Sequence, residues 1–125
     1  MKNAPKVSIL IRNLNEEEKL KILFPILDDQ TYENFEVVFL DSGSTDNSLE
    51  FVKNYKSKYE ITIDEIDKTL FTFGRALNIC ANLSNKPDYM ISLSAHCFPT
   101  NNDFISNYVN IFENSNCDIV YGKQV

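Results

Sequence analysis

The chain is short of cationic and reactive side chains. Of its 125 residues only two are arginine, Arg12 and Arg75, and one is histidine, His96. Acids outnumber lysine plus arginine by 18 to 12, leaving a net charge of −6. That balance excludes a broad basic surface, so no nucleic-acid partner is expected. A nucleotide taken as a small ligand stays open, because a metal ion or a few local donors can balance its phosphates. Cysteine is sparse and odd in number: Cys80, Cys97 and Cys117 have neither zinc-finger nor redox spacing. Buried free thiols in a reducing, cytoplasmic setting follow from that. No apolar stretch approaches the roughly 20 residues needed to cross a bilayer, and none before the first strand has the form of a signal peptide. Repeats, low-complexity tracts and linkers are absent too. One domain over residues 1–125 is expected, long enough for one sizeable core.

What is present is a sequence of apolar runs that end on polar turns. Residues 34–48 read Asn-Phe-Glu-Val-Val-Phe-Leu-Asp-Ser-Gly-Ser-Thr-Asp-Asn-Ser. Residues 35–40 suit a strand buried on both faces of a parallel sheet. Asp41 closes that strand, Gly43 permits a sharp turn, and Ser44, Thr45 and Asp46 are competent helix caps. In open α/β sheets ligands gather at the carboxyl ends of strands, so this segment indicates a site as well as a fold.

The same alternation runs through the chain. A first strand is expected over 6–13, followed by a helix capped by Asn15, acidic at Glu16, Glu17 and Glu18 and apolar at Leu20, Leu23, Phe24 and Leu27. Pro25 should kink or divide that helix. A second helix is expected over 46–59, burying Leu49, Val52 and Tyr55. Residues 60–66 alternate apolar and polar, as an edge strand does. Further elements are a helix over 74–83 with Leu77, Ile79 and Ala81 apolar, a buried strand over 88–93, a helix from Asn101 or Asn102 to Asn114, and a last strand over 118–121. Strands alternating with helices predict a three-layer α/β/α sandwich around a mostly parallel sheet.

Val7-Ser8-Ile9-Leu10-Ile11-Arg12-Asn13-Leu14-Asn15-Glu16 resembles the opening strand and loop of family 2 glycosyltransferases. Gln30-Thr31-Tyr32, Phe35-Glu36-Val37 and Asp41-Ser42-Gly43-Ser44-Thr45-Asp46 are similar to the segment that follows in that family. Phe73-Gly74-Arg75-Ala76-Leu77-Asn78, residues 89–99 and Val120-Tyr121-Gly122 take their places in the same order. The resemblance implies the GT-A fold, Rossmann-like, and transfer of a sugar from a nucleotide diphosphate to an acceptor hydroxyl. It implies a UDP-, dTDP- or GDP-sugar donor and a saccharide or lipid-linked acceptor, in bacterial surface polysaccharide synthesis. Residues 1–125 correspond to the donor-binding half. The acceptor site and catalytic base belong to the missing C-terminal half, so the fragment is expected to be inactive alone.

The resemblance assigns the donor nucleotide to Arg12, Asn13, Leu14, Asn15, Asp41, Gly43, Arg75, Ser94 and Ala95. Asp41 corresponds to an acid that accepts from the base, a role apt for a group that only accepts. Its structural reading is a strand terminator that helps cap the next helix. Arg12 replaces a usual proline, and Leu77 stands where relatives carry an arginine before Asn78. The widest departure is at Ser94-Ala95-His96, in the place of an Asp-x-Asp that binds Mg²⁺ or Mn²⁺. His96 is a candidate metal ligand, or a phosphate donor when protonated. Metal dependence is expected to be weakened. Two other readings follow from the residues: a phosphoryl-transfer domain using Asp41, and a non-catalytic module that keeps only the fold.

Overall fold

The computed structural model describes residues 4–116. The expected strand over 118–121, with Cys117 and Gly122, lies outside them. The chain alternates strand and helix from the start: β1 (Val7–Asn13), α1 (Glu17–Asp28), β2 (Phe35–Asp41), α2 (Ser48–Asn54) and β3 (Glu60–Glu65). A single 3₁₀ turn (Lys68–Leu70) then leads into α3 (Phe73–Leu83), β4 (Tyr89–Ser94) and α4 (Phe104–Asn114). Every pairing is parallel and the strand order is β3-β2-β1-β4, so all four carboxyl ends lie along one edge. Asn13 at the end of β1 stands opposite Asp41 at the end of β2.

Strand alternation divides the core between two faces. Val7, Ile9 and Ile11 of β1 pack with Val37 and Phe39 of β2 against Leu20, Leu23, Phe24 and Leu27 of α1, Val52 of α2, and Ile105 and Val109 of α4. Leu10, Val38 and Leu40 point the other way, onto Ala76 and Cys80 of α3. This is the expected three-layer sandwich. Phe24 anchors the larger face, with Phe39, Phe51, Tyr55 and Tyr59 set edge-on around it. Burying one such aromatic side chain contributes about 1.5–3 kcal/mol. Gln30 joins the two outer helices: its Nε2 donates to the Asn101 carbonyl (2.9 Å), and its Oε1 accepts from the Ile105 amide in the first turn of α4 (3.1 Å).

Several local expectations differ from the structure. Pro25 does not divide α1, which runs unbroken from Glu17 to Asp28. Pro25 is on the exposed face, as is Lys21, so the carbonyl that loses its helical donor there is on the solvent side of the helix. The second helix ends at Asn54 instead of continuing to residue 59. Tyr55 turns extended so that its hydroxyl reaches Asp28 (2.6 Å), and Tyr59 donates to the Phe24 carbonyl (3.1 Å). Tertiary anchoring on α1 outweighs helix propensity in that segment. On α3 the fully buried positions are Ala76 and Cys80, while Leu77 and Ile79 are half-buried. β4 is not buried on both faces: Ile91 and Leu93 face the core while Met90 is 51% exposed, as suits a strand at the edge of the described sheet. β3 lies at the other edge of the described sheet, as its alternation predicts.

Candidate functional site

The turns after β1 and β2 are built against each other. Asp41, 2% exposed, receives four hydrogen bonds. Its Oδ1 accepts from Asn13 Nδ2 (2.8 Å) and Ser44 Oγ (2.6 Å), its Oδ2 from the amides of Gly43 (3.2 Å) and Ser44 (2.9 Å). Gly43 makes the turn at φ +101°, where a Cβ would be strained. Asn15 takes φ 53°, a conformation asparagine tolerates better than most residues. It does not cap its own helix. Its Oδ1 accepts instead from the amides of Thr45 (2.7 Å) and Asp46 (3.2 Å), and its own amide donates to Ser44 Oγ (2.9 Å). Asp46 returns the arrangement: its Oδ2 accepts from the Glu17 amide (3.2 Å), its Oδ1 from Ser48 (3.0 Å). Burial opposes ionisation of Asp46, but donors from Ser48 and Glu17 outweigh it and hold the carboxyl below its usual range.

Above these turns lies a cleft of about 340 Å³, lined by Arg12, Asn13, Leu14, Glu16, Ser42, Lys68, Phe71, Ser94 and His96. The volume falls within the range of small-ligand sites. Five of these residues were expected from the sequence: Arg12, Asn13, Leu14, Ser94 and His96. The others stand elsewhere. Asp41 and Gly43 form the turn beneath the cleft, and Asn15 braces the two loops. Ala95 is buried in the core. The Arg75 guanidinium bonds the Leu70 carbonyl (2.5 Å) and so closes the loop before α3.

Four lining residues were not foreseen. Ser42 follows Asp41, so alternation at the strand end sends it to the opposite side; that signal was available. Its hydroxyl donates to the Asn13 carbonyl (3.1 Å), which leaves oxygen lone pairs free to accept. Glu16 reads in the sequence only as a helix-dipole partner. Lys68 and Phe71 arrive on the loop after β3, and nothing in their local sequence announces them. Two buried atoms among the lining residues have no hydrogen-bond partner, Asn13 Oδ1 and Arg12 Nε. An orphaned buried polar atom costs about 1–3 kcal/mol, which a ligand able to pair with it would recover.

Residues 8–125 match the sequence profile of Glycosyl transferase family 2. The chain belongs to that family. It is 26% identical over 114 residues to the dolichyl N-acetyl-alpha-D-glucosaminyl phosphate 3-beta-D-2,3-diacetamido-2,3-dideoxy-beta-D-glucuronosyltransferase of Methanococcus voltae, covering 86% of this chain and 34% of that protein. Its fold matches S. aureus TarS 1–349, solved with UDP-GlcNAc, at a TM-score of 0.76 and 20% identity over 87% of this chain and 31% of that one. The mannosyltransferase PcManGT of Pyrobaculum calidifontis, solved with GDP-Man and Mn²⁺, gives a TM-score of 0.77 at 21% identity over 86% and 32% of the two chains. The chain thus spans about a third of the length of these relatives. The fold is that of GT-A glycosyltransferases.

A divalent cation, which membership of family 2 would suggest, does not fit the residues at the end of β4. The Ser94 hydroxyl accepts from Arg12 Nη2 (3.4 Å), and His96 Nδ1 lies 3.9 Å from Glu16 Oε1. Among the described residues no three histidine, cysteine or acidic side chains cluster as a metal site. A neutral hydroxyl beside a guanidinium is a poor ligand for a hard dication.

Proposed function

We propose that the cleft binds a nucleotide-diphosphate sugar, with a UDP-, dTDP- or GDP-linked donor, and that residues 1–125 are the donor-binding part of a glycosyltransferase. The observation that carries this reading is the cleft itself. It lies at the carboxyl ends of four parallel strands, and acceptors and cations meet there in a chain that belongs to family 2. Asn13 Oδ1 and Ser42 Oγ offer lone pairs to the N–H edge of a base, while Phe71 gives an apolar wall. Asp41 acts through the loop: its four bonds fix Asn13 and the turn that carries Ser42. That occupancy also argues against the phosphoryl-transfer reading, since a nucleophilic carboxylate must face its substrate.

The acceptor is a saccharide or a lipid-linked saccharide of a surface polymer, and the dolichyl-linked substrate in the name of the Methanococcus voltae relative supports that class. Transfer needs a base to take the acceptor hydroxyl proton, and it comes from the acceptor part rather than from this cleft. The reaction belongs in the cytoplasm, a compartment in which a buried free thiol such as Cys80 stays reduced. A module that keeps the fold without donor binding is the second reading, favoured by Ser94 and His96.

Thermal shifts with a panel of nucleotides separate the two. A nucleoside diphosphate at 100 times its dissociation constant should add roughly 2.7 kcal/mol to stability. A panel in which none raises the melting temperature would support the fold-only module.

A further inference from the structure

The charges around the cleft are those of an anion site. Arg12 and Lys68 supply two cations to the lining against the one lining carboxylate, Glu16, while the Asp41 carboxylate beneath is taken up by its own four hydrogen bonds. Arg12 reaches this position from the α3 face of β1. Its guanidinium lies 4.7 Å from the centre of the Phe73 ring, and one terminal nitrogen leans on Ser94 Oγ. The stacking and that bond hold the planar group in place while its Nε stays buried without a partner. His96 lies two residues beyond Ser94 on the same wall. An imidazole offers an N–H donor in either protonation state. A dication brought here would meet two cations and a neutral hydroxyl against the one carboxylate of Glu16; a diphosphate would meet complementary charge and directed donors.

We propose that this site holds the diphosphate of its nucleotide with protein side chains, chiefly Arg12 with Lys68 and His96, and takes no divalent metal. The inference rests on the nucleotide-binding reading above and deepens it. Arg12 is then the central phosphate contact, Ser94 the residue that positions it, and Glu16 the partner that orients His96.

Calorimetric titration of the purified protein with UDP, dTDP and GDP, once in EDTA and once in excess Mn²⁺, tests this. The best-bound nucleotide should show dissociation constants that agree within about threefold in the two conditions. Tightening by about tenfold or more with Mn²⁺ would overturn the inference while leaving nucleotide binding intact. Binding of none of the three nucleotides in either condition would remove both the reading and the inference. Arg12→Gln gives an independent check. It should weaken UDP by about tenfold yet leave the affinity for uridine nearly unchanged. Equal losses for UDP and uridine would mean that Arg12 supports the loop and does not hold phosphate.

Discussion

Asp41 and Ser42 show how one step along a strand end separates a brace from a contact. Asp41 carries four internal hydrogen bonds, so Asp41→Ala leaves the Asn13 amide with Ser44 Oγ alone (3.1 Å) and the Gly43–Ser44 turn without its acceptor. Bonds to a charged group are worth about 1.5–3 kcal/mol each when broken singly, and these act as a unit. The expected loss is about 3 kcal/mol in urea denaturation, and a loss under about 1 kcal/mol would contradict the brace. Ser42→Ala should instead change stability by less than about 1 kcal/mol while weakening nucleotide binding severalfold by calorimetry. The carboxylate at the end of an apolar strand was legible in the sequence, and so was the presence of a site. Its orientation was not, because Asn13 lies 28 residues away and only the parallel register of β1 and β2 brings its amide alongside.

The element that holds the cleft open is the pair of strand-to-helix turns, each capping the other. Asn15 and Asp46 look in sequence like caps for their own helices, and chain-local rules could say no more. The structure uses Asn15 for the β2 turn and Asp46 for the first turn of α1 as well as of α2. Asp46→Ala should therefore cost about 1–2 kcal/mol, at the upper end for a helix cap, in chemical denaturation. Its pH dependence has a definite sign. The folded carboxyl is depressed, so the unfolded chain binds its proton first as pH falls. Its stabilisation is full well above 3.8 and is lost as pH drops through the folded value. The acid limb of a stability-versus-pH curve should flatten in Asp46→Ala; an unchanged limb would show that the cap is not ionic. Elements with long apolar periodicity, β1, β2 and α1, were readable at nearly their true bounds. The second helix was misjudged because Tyr55 and Tyr59 follow contacts with Asp28 and Phe24 that no local pattern encodes.

Across the whole molecule the sheet keeps two unequal cores, and groups in both resist ionisation. Burial pushes the Cys80 thiol up to about 11, with Arg12 opposing and Asp64 reinforcing the shift. Burial likewise raises Tyr59, helped by Asp28 and Tyr55, and raises Tyr55, helped by its bond to Asp28. In these acids the folded state keeps its protons longer than the unfolded chain does. Stability must then fall as pH climbs above about 9, where the unfolded thiol starts to ionise, and fall further through the tyrosine range. Urea midpoints flat from about pH 8 to 11 would count against the buried thiol and phenols. The three-layer architecture was legible because strand and helix periods alternate plainly from residue 6 onward. The wall formed by Lys68 and Phe71 was not, since the loop after β3 reaches the cleft only through the assembled sheet. The central claim is that this edge of the sheet is a nucleotide site, and amide chemical-shift mapping during a UDP or GDP titration tests it most directly. Perturbations should concentrate on residues 12–16, 42–44, 68–71 and 94–96. Saturable shifts centred elsewhere, such as the hollow beside Pro99 and Asn101, would contradict it.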